Sequence, residues 1–277
     1  MSEALWYCTR QRAGPLVKEC RALRPRLSPQ DSPFERAEKQ KILRPPRDSS
    51  VCRTRVDRLE LRLALFGFEG TCYTLTFDED SLPEKFRDVR RVWRAFMCRM
   101  KRQIGQPFDY VYRFEGLHGD HRYHIHTTLR YSDFPPELVR RLWKYGGVDD
   151  EPLLRGPYDS FRRMARYYTK EPTDGLSFPV GARPCNWSRS LSARLPPPEK
   201  WMDTSGLIEI PDAVRVSGRN SVENAFGSYF YAWYIKERQW PPQAREAAGE
   251  EPPDEWAGLG GLSGEDSAFI LDNDFLS

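Results

Sequence analysis

The sequence predicts an α+β fold, a mainly antiparallel sheet covered by helices, and three observations predict it. Asp109 to Leu117 and Arg122 to Arg130 both read as strands flanking Gly119-Asp120, a pair suited to a tight hairpin turn. Thr71 to Phe77 is a β-branched and aromatic run closed by Asp78-Glu79-Asp80, the first strand of the same sheet. Pro83 to Ile104 and Tyr158 to Lys170 repeat apolar residues at helical spacing, so each can cover a sheet face.

Taken in order, residues 1–55 are rich in Arg, Lys, Pro and Ser without a sustained period, and read as a basic arm, partly disordered or wrapped over the domain. Val56 to Phe68 carries Val56, Leu59, Leu63 and Phe66 at helical spacing among arginines, a basic amphipathic helix. The Pro83 helix sets Phe86, Val89, Trp93, Phe96 and Met100 against a face bearing Lys85, Arg87, Arg91, Arg94 and Lys101. Pro135 to Tyr145 predicts a helix closed by Gly146-Gly147, and Val148 to Leu154 a short strand or loop. Phe226 to Ile235, aromatic on both faces, fits a buried strand that completes the sheet. The folded domain is expected over 56–240, with an acidic disordered tail over 241–277.

Chemistry concentrates in the hairpin. Side chains alternate along a strand, so His124 and His126 share a face, and centring the turn on Gly119-Asp120 sets Glu115 opposite His124 and Arg113 opposite His126. Two imidazoles and a carboxylate on one side of a sheet make an open divalent-metal site, and the ligand count alone names no metal. A structural zinc cluster of His118, His121, His124 and His126 is the alternative, but alternation places only the last two together. In the Tyr158 helix, Phe161, Met164, Ala165 and Tyr168 form an apolar stripe, while Arg163, Tyr167 and Lys170 form a polar one. A free phenol has a pKa of about 10 and needs a positive field or an activated electrophile before it attacks at neutral pH.

Three motifs in this order, Thr74-Leu75-Thr76, then Glu115 with His124-Ile125-His126, then Tyr167 with Lys170, resemble those of the HUH endonuclease superfamily, in particular its rolling-circle replication initiators. The resemblance spans the middle third of the chain. It implies a ferredoxin- or RRM-like core and metal-dependent, sequence-specific nicking of single-stranded DNA, with Mg²⁺ or Mn²⁺ as the metal. Tyr167 would be the nucleophile that forms a 5′-phosphotyrosine, and Lys170 would assist. Conjugative relaxases and single-strand transposases share this chemistry. A non-catalytic DNA-binding regulator on the same fold is the reading from another class. No phosphate-loop helicase signature accompanies the motifs, which favours replication initiation.

Downstream, Arg183, Arg189 and Arg194 interleave with Trp187 and several serines, a pattern that fits a flexible single-strand contact or a polar loop around a buried Trp187. With Arg163 these are the expected DNA-binding residues. The net charge of +3 is uneven: Arg245 to Ser277 holds one basic and nine acidic residues, so the tail carries −8 and the remainder +11. A basic body suits a phosphate backbone such as a single-stranded origin, and the acidic tail suits replication partners such as a host helicase. There is no apolar run of about eighteen residues, no secretory leader is expected from Met1 to Arg12, and six scattered cysteines without Cys-x-x-Cys spacing favour reduced thiols. A cytoplasmic protein without a membrane partner is expected.

Overall fold

The computed structural model describes residues 6–23, 30, 32–42, 47–116, 122–156, 159–170, 185–210, 214–224 and 227–236. It is α+β, with two five-stranded antiparallel sheets. The chain divides into two compact units, one drawn from Met1–Leu61, Gly156–Ser160 and Pro196–Ser277, the other from Arg62–Arg155 and Phe161–Leu195. The segment 56–240, expected as one catalytic domain with a C-terminal extension, is divided between the two units.

The second unit carries the hairpin. Its elements run β3 (Gly70–Leu75), α3 (Phe86–Ile104), β4 (Val111–Glu115), β5 (His124–Arg130), α4 (Pro136–Leu142), β6 (Val148–Pro152), α5 (Phe161–Thr169), β7 (Cys185–Trp187) and α6 (Arg189–Arg194). The sheet order is β6-β3-β5-β4-β7. From β3 to β6 this is the β-α-β-β-α-β arrangement of a ferredoxin-like core, in which each helix connection skips a strand. Thr71–Phe77, Pro83–Ile104 and Tyr158–Lys170 are thus elements, each within a few residues of its expected bounds.

Alternation explains why one sheet face is dry. Tyr73, Leu75, Phe114, Ile125 and Leu129 point to the side where Val89, Trp93, Phe96 and Met100 of α3 and Val139 of α4 complete a core. Gly105, in the left-handed conformation at φ 76°, ends α3, and its N–H donates to the Lys101 carbonyl. Gly146 is not the helix stop that the sequence predicts, because α4 already ends at Leu142. Its backbone instead lies so close to β3 that a Cβ there would sit 2.5 Å from the Thr76 carbonyl oxygen.

The first unit corrects the reading of the N-terminus. Instead of an arm, β1 (Trp6–Ala13) and β2 (Leu16–Leu23) form a hairpin, followed by α1 (Pro33–Ile42) and α2 (Arg47–Ala64). The hairpin joins β8 (Glu199–Asp203), β9 (Val214–Asn224) and β10 (Gly227–Lys236) in the order β8-β1-β2-β10-β9. The expected Phe226 strand therefore belongs to this sheet and not to the one bearing the hairpin histidines. Charge hides the pattern: β2 buries Glu19 and Arg21 where alternation would place apolar residues. Residues 241–277 lie outside the described residues. Among the described residues, no helix is long and apolar enough to cross a membrane.

Candidate metal centre and adjoining tyrosine

The register of β4 and β5 is the one the turn predicts, Glu115 opposite His124 and Arg113 opposite His126. The turn itself, with His118 and His121, lies outside the described residues. One donor atom from each of Glu115, His124 and His126 lies within 4.8 Å of the others. His124 Nε2 is 3.1 Å from Glu115 Oε2, and His126 Nε2 is 3.7 Å from the same oxygen.

The far side of each imidazole is engaged as metal-binding histidines require. His124 Nδ1 lies 2.9 Å from the Arg122 carbonyl oxygen, which only accepts, so Nδ1 carries the proton. His126 Nδ1 lies 3.1 Å from Thr74 Oγ1, so the Thr-Leu-Thr strand orients the second imidazole. With its proton on Nδ1, a neutral His124 ring offers the Nε2 lone pair to a metal ion, whereas without an ion a protonated Nε2 donates to Glu115 Oε2. Two imidazole nitrogens and a carboxylate oxygen are a donor set that could hold a metal ion.

Burial by itself raises the Glu115 pKa, but hydrogen bonds from His124 and His126 and the Arg113 charge outweigh it and hold the carboxyl well below the usual carboxylate range. The hydrogen bond to Glu115 raises the His124 pKa against the opposing effect of burial. Without an ion, the pair therefore shares a proton that a metal would displace.

Helix α5 covers this face of the sheet and separates the two tyrosines as their stripes predict. Tyr168 is 0 % exposed, and its hydroxyl sits 2.9 Å from Thr128 Oγ1. Tyr167 is 36 % exposed, and its hydroxyl lies 2.7 Å from His126 Nε2. Burial, then the Glu115 charge, pushes the Tyr167 pKa above its ordinary value, so the phenol is protonated at neutral pH.

Arg113, only 6 % exposed, ties the helix to the cluster, a role the sequence reading missed although the register placed it opposite His126. Its Nη1 donates to the carbonyls of Tyr168 at 2.7 Å and Lys170 at 2.9 Å. Its Nε lies 2.9 Å from Glu115 Oε1, an ion pair not aligned for a hydrogen bond.

The other expected residues are less concentrated. Lys170 follows α5 directly and is exposed. Arg163 reaches back to the Leu153 carbonyl at 3.4 Å. The stretch expected to be a flexible loop forms β7 and α6 from Cys185 onward. Trp187 is half-buried, with the Arg62 guanidinium 4.4 Å above its ring and its Nε1 donating to Ser192 Oγ at 3.0 Å. Arg194 is ion-paired with Asp109, Arg189 is exposed, and Arg183 lies outside the described residues.

No family model matches the chain, and neither a curated protein nor a solved structure shows significant similarity to it.

Proposed function

We propose that the protein is a metal-dependent single-strand DNA nickase and strand transferase that works through Tyr167, in the manner of replication initiators. The observation that carries this reading is the Tyr167 hydroxyl, 2.7 Å from a nitrogen of the Glu115, His124 and His126 cluster. A nucleophile and a metal-competent donor set on adjoining elements are what phosphoryl transfer to a side chain requires.

A divalent ion, Mg²⁺ or Mn²⁺, held by Glu115, His124 and His126 would polarise the scissile phosphate and offset the carboxylate charge that, after burial, raises the Tyr167 pKa. Tyr167 Oη bonds to phosphorus, the P–O3′ bond breaks, and the phenolic proton passes to solvent while the released 3′-oxygen is protonated. Lys170, at the end of the same helix, balances charge on the phosphoryl oxygens. Arg113 holds the helix end so that Oη stays in reach. Because the phosphotyrosine conserves the phosphodiester, a later 3′-hydroxyl can reverse the step and join strands. That reversibility suits rolling-circle replication, with a single-stranded origin as the substrate.

The test is incubation with a mixed single-stranded DNA pool and Mn²⁺ or Mg²⁺, followed by mass spectrometry for DNA on Tyr167. An adduct on Tyr167 that EDTA prevents is the expected outcome. Binding without any adduct would replace the nickase by a DNA-binding regulator.

A further inference from the structure

The cluster and Tyr167 occupy one face of the β6-β3-β5-β4-β7 sheet, and α3 covers the other. Trp93 of α3 packs 4.8 Å, centroid to centroid, from Tyr112, and Phe86 packs 5.4 Å from Phe114. The solvent side of α3 presents Arg87, Arg90, Arg91, Arg94, Lys101 and Arg102, all exposed. At spacings of three, four and seven residues they form one stripe, roughly 22 Å long at about 1.5 Å per residue. Asp88 is the helix's only carboxylate, and it lies 3.3 Å from Arg91 and 4.0 Å from Arg87. Among the described residues, no carboxylate pairs with Arg90, Arg94, Lys101 or Arg102. Like charges at these spacings oppose helix formation, an unrelieved cost that an anionic partner would remove.

We propose that this stripe is a second nucleic-acid surface, which holds the phosphate backbone of duplex DNA flanking the single strand at the metal site. The chemistry selects the partner. Single strands bind by stacking bases on aromatic rings, yet among the described residues none of the exposed large hydrophobic ones, Tyr7, Phe34, Tyr131, Tyr167, Met202 and Leu207, lies on α3. A basic helix on a bilayer inserts its apolar face, but Val89, Phe96 and Met100 are each 0 % exposed and committed to the core. What remains is recognition by charge alone along a rigid line, which duplex phosphates meet. A helix of about 10–12 Å diameter and the sheet itself separate stripe from cluster, so the two surfaces engage different segments of DNA. Only the biological setting rests on the nickase reading; the binding does not.

The test uses the full chain as Tyr167→Phe without added metal, so cleavage does not enter. Arg90→Gln, Arg94→Gln and Lys101→Gln are combined, keeping residues of good helix propensity. Affinity is measured for a blunt duplex and for an oligothymidylate of equal length, from about 50 to about 200 mM salt. Duplex affinity should fall on the order of a hundredfold at the lower salt, and the slope of log affinity against log salt should flatten by about 2.7, at about 0.9 per lost phosphate contact, so that the loss shrinks to about two- to threefold at the higher salt. Oligothymidylate affinity should change less than about twofold.

Cys98, an exposed free thiol within the stripe, gives an independent readout in the unaltered stripe. Duplex should slow maleimide labelling of Cys98, mapped by mass spectrometry, and oligothymidylate should not. Unchanged duplex affinity and slope, equal losses for both nucleic acids, or protection of Cys98 by anionic vesicles but not by duplex would each overturn the proposal. If the triple variant does not fold, the Cys98 labelling rate decides alone. Stripe-dependent duplex binding in a protein that never forms an adduct would leave this inference standing and remove the nickase reading.

Discussion

Both sheets set a glutamate beside arginine, and the two carboxylates end differently. Glu19 of β2 is closed on both sides: Oε2 lies 2.8 Å from Arg10 Nε and Oε1 lies 3.3 Å from Arg21 Nη2, with 1 % of the side chain exposed. Glu115 of β4 has one oxygen on Arg113 at 2.9 Å and the other facing two imidazoles at 3.1 and 3.7 Å, with 21 % exposed. A carboxylate saturated by guanidinium groups has no lone pair left for a ligand and serves the fold. One whose second oxygen meets only imidazole nitrogens, which can give up their protons, can share a cation with them. The residue type is the same, and the company decides between structure and chemistry.

Substitution separates the two most sharply at the site itself. Glu115→Ala and Tyr167→Phe should each abolish the covalent DNA adduct, the first by removing a ligand and the second by removing the attacking oxygen. Glu115→Ala should also remove the rise in thermal midpoint on adding Mn²⁺, whereas Tyr167→Phe should retain it. Retention of that rise in Glu115→Ala would place the cation elsewhere.

Glu19→Ala should act on stability instead. Leaving Arg10 and Arg21 without their shared carboxylate should cost about 3–5 kcal/mol in denaturant unfolding, with the Mn²⁺ response intact. A loss of the Mn²⁺ response while the fold persists would erase the distinction between the two glutamates.

Smaller effects are expected where α5 meets the sheet. Arg113→Ala strands the Tyr168 and Lys170 carbonyls and should cost about 1–3 kcal/mol, while misplacing Tyr167 lowers the adduct-forming rate on the order of a hundredfold. Tyr168→Phe gives up one buried hydrogen bond, about 1 kcal/mol, and should still form adduct. An adduct mapped to Tyr168 would reverse the roles of the two α5 faces.

The smallest effect is in the pH dependence of the metal-free protein. Glu115 has a folded pKa below its ordinary 4.5, so its contribution is present above 4.5 and is lost as pH falls through the lower folded value. His124 has a folded pKa above its ordinary 6.5, so its contribution is complete below 6.5 and is lost as pH rises through the higher folded value. The stability gap between the parent and His124→Ala, measured in EDTA, should therefore be widest between 4.5 and 6.5 and narrow on either side. A gap that widens steadily toward alkaline pH would contradict the shared proton.

The amino-acid sequence by itself determined the hairpin register, the shared face of Glu115, His124 and His126, and the separation of exposed Tyr167 from buried Tyr168. These depend on strand alternation and helix periodicity, which are local and carry through any packing. Tertiary structure alone decided the rest. The β1–β2 hairpin was illegible because Arg10, Glu19 and Arg21 neutralise one another across strands, so burial there leaves no apolar period to read. Likewise β10 joins β2, more than two hundred residues away in the chain, a pairing that no local pattern encodes. Arg113 shows the boundary between the two: its register was legible, but its grip on the end of α5 exists only because a helix fifty residues later packs onto its face of the sheet.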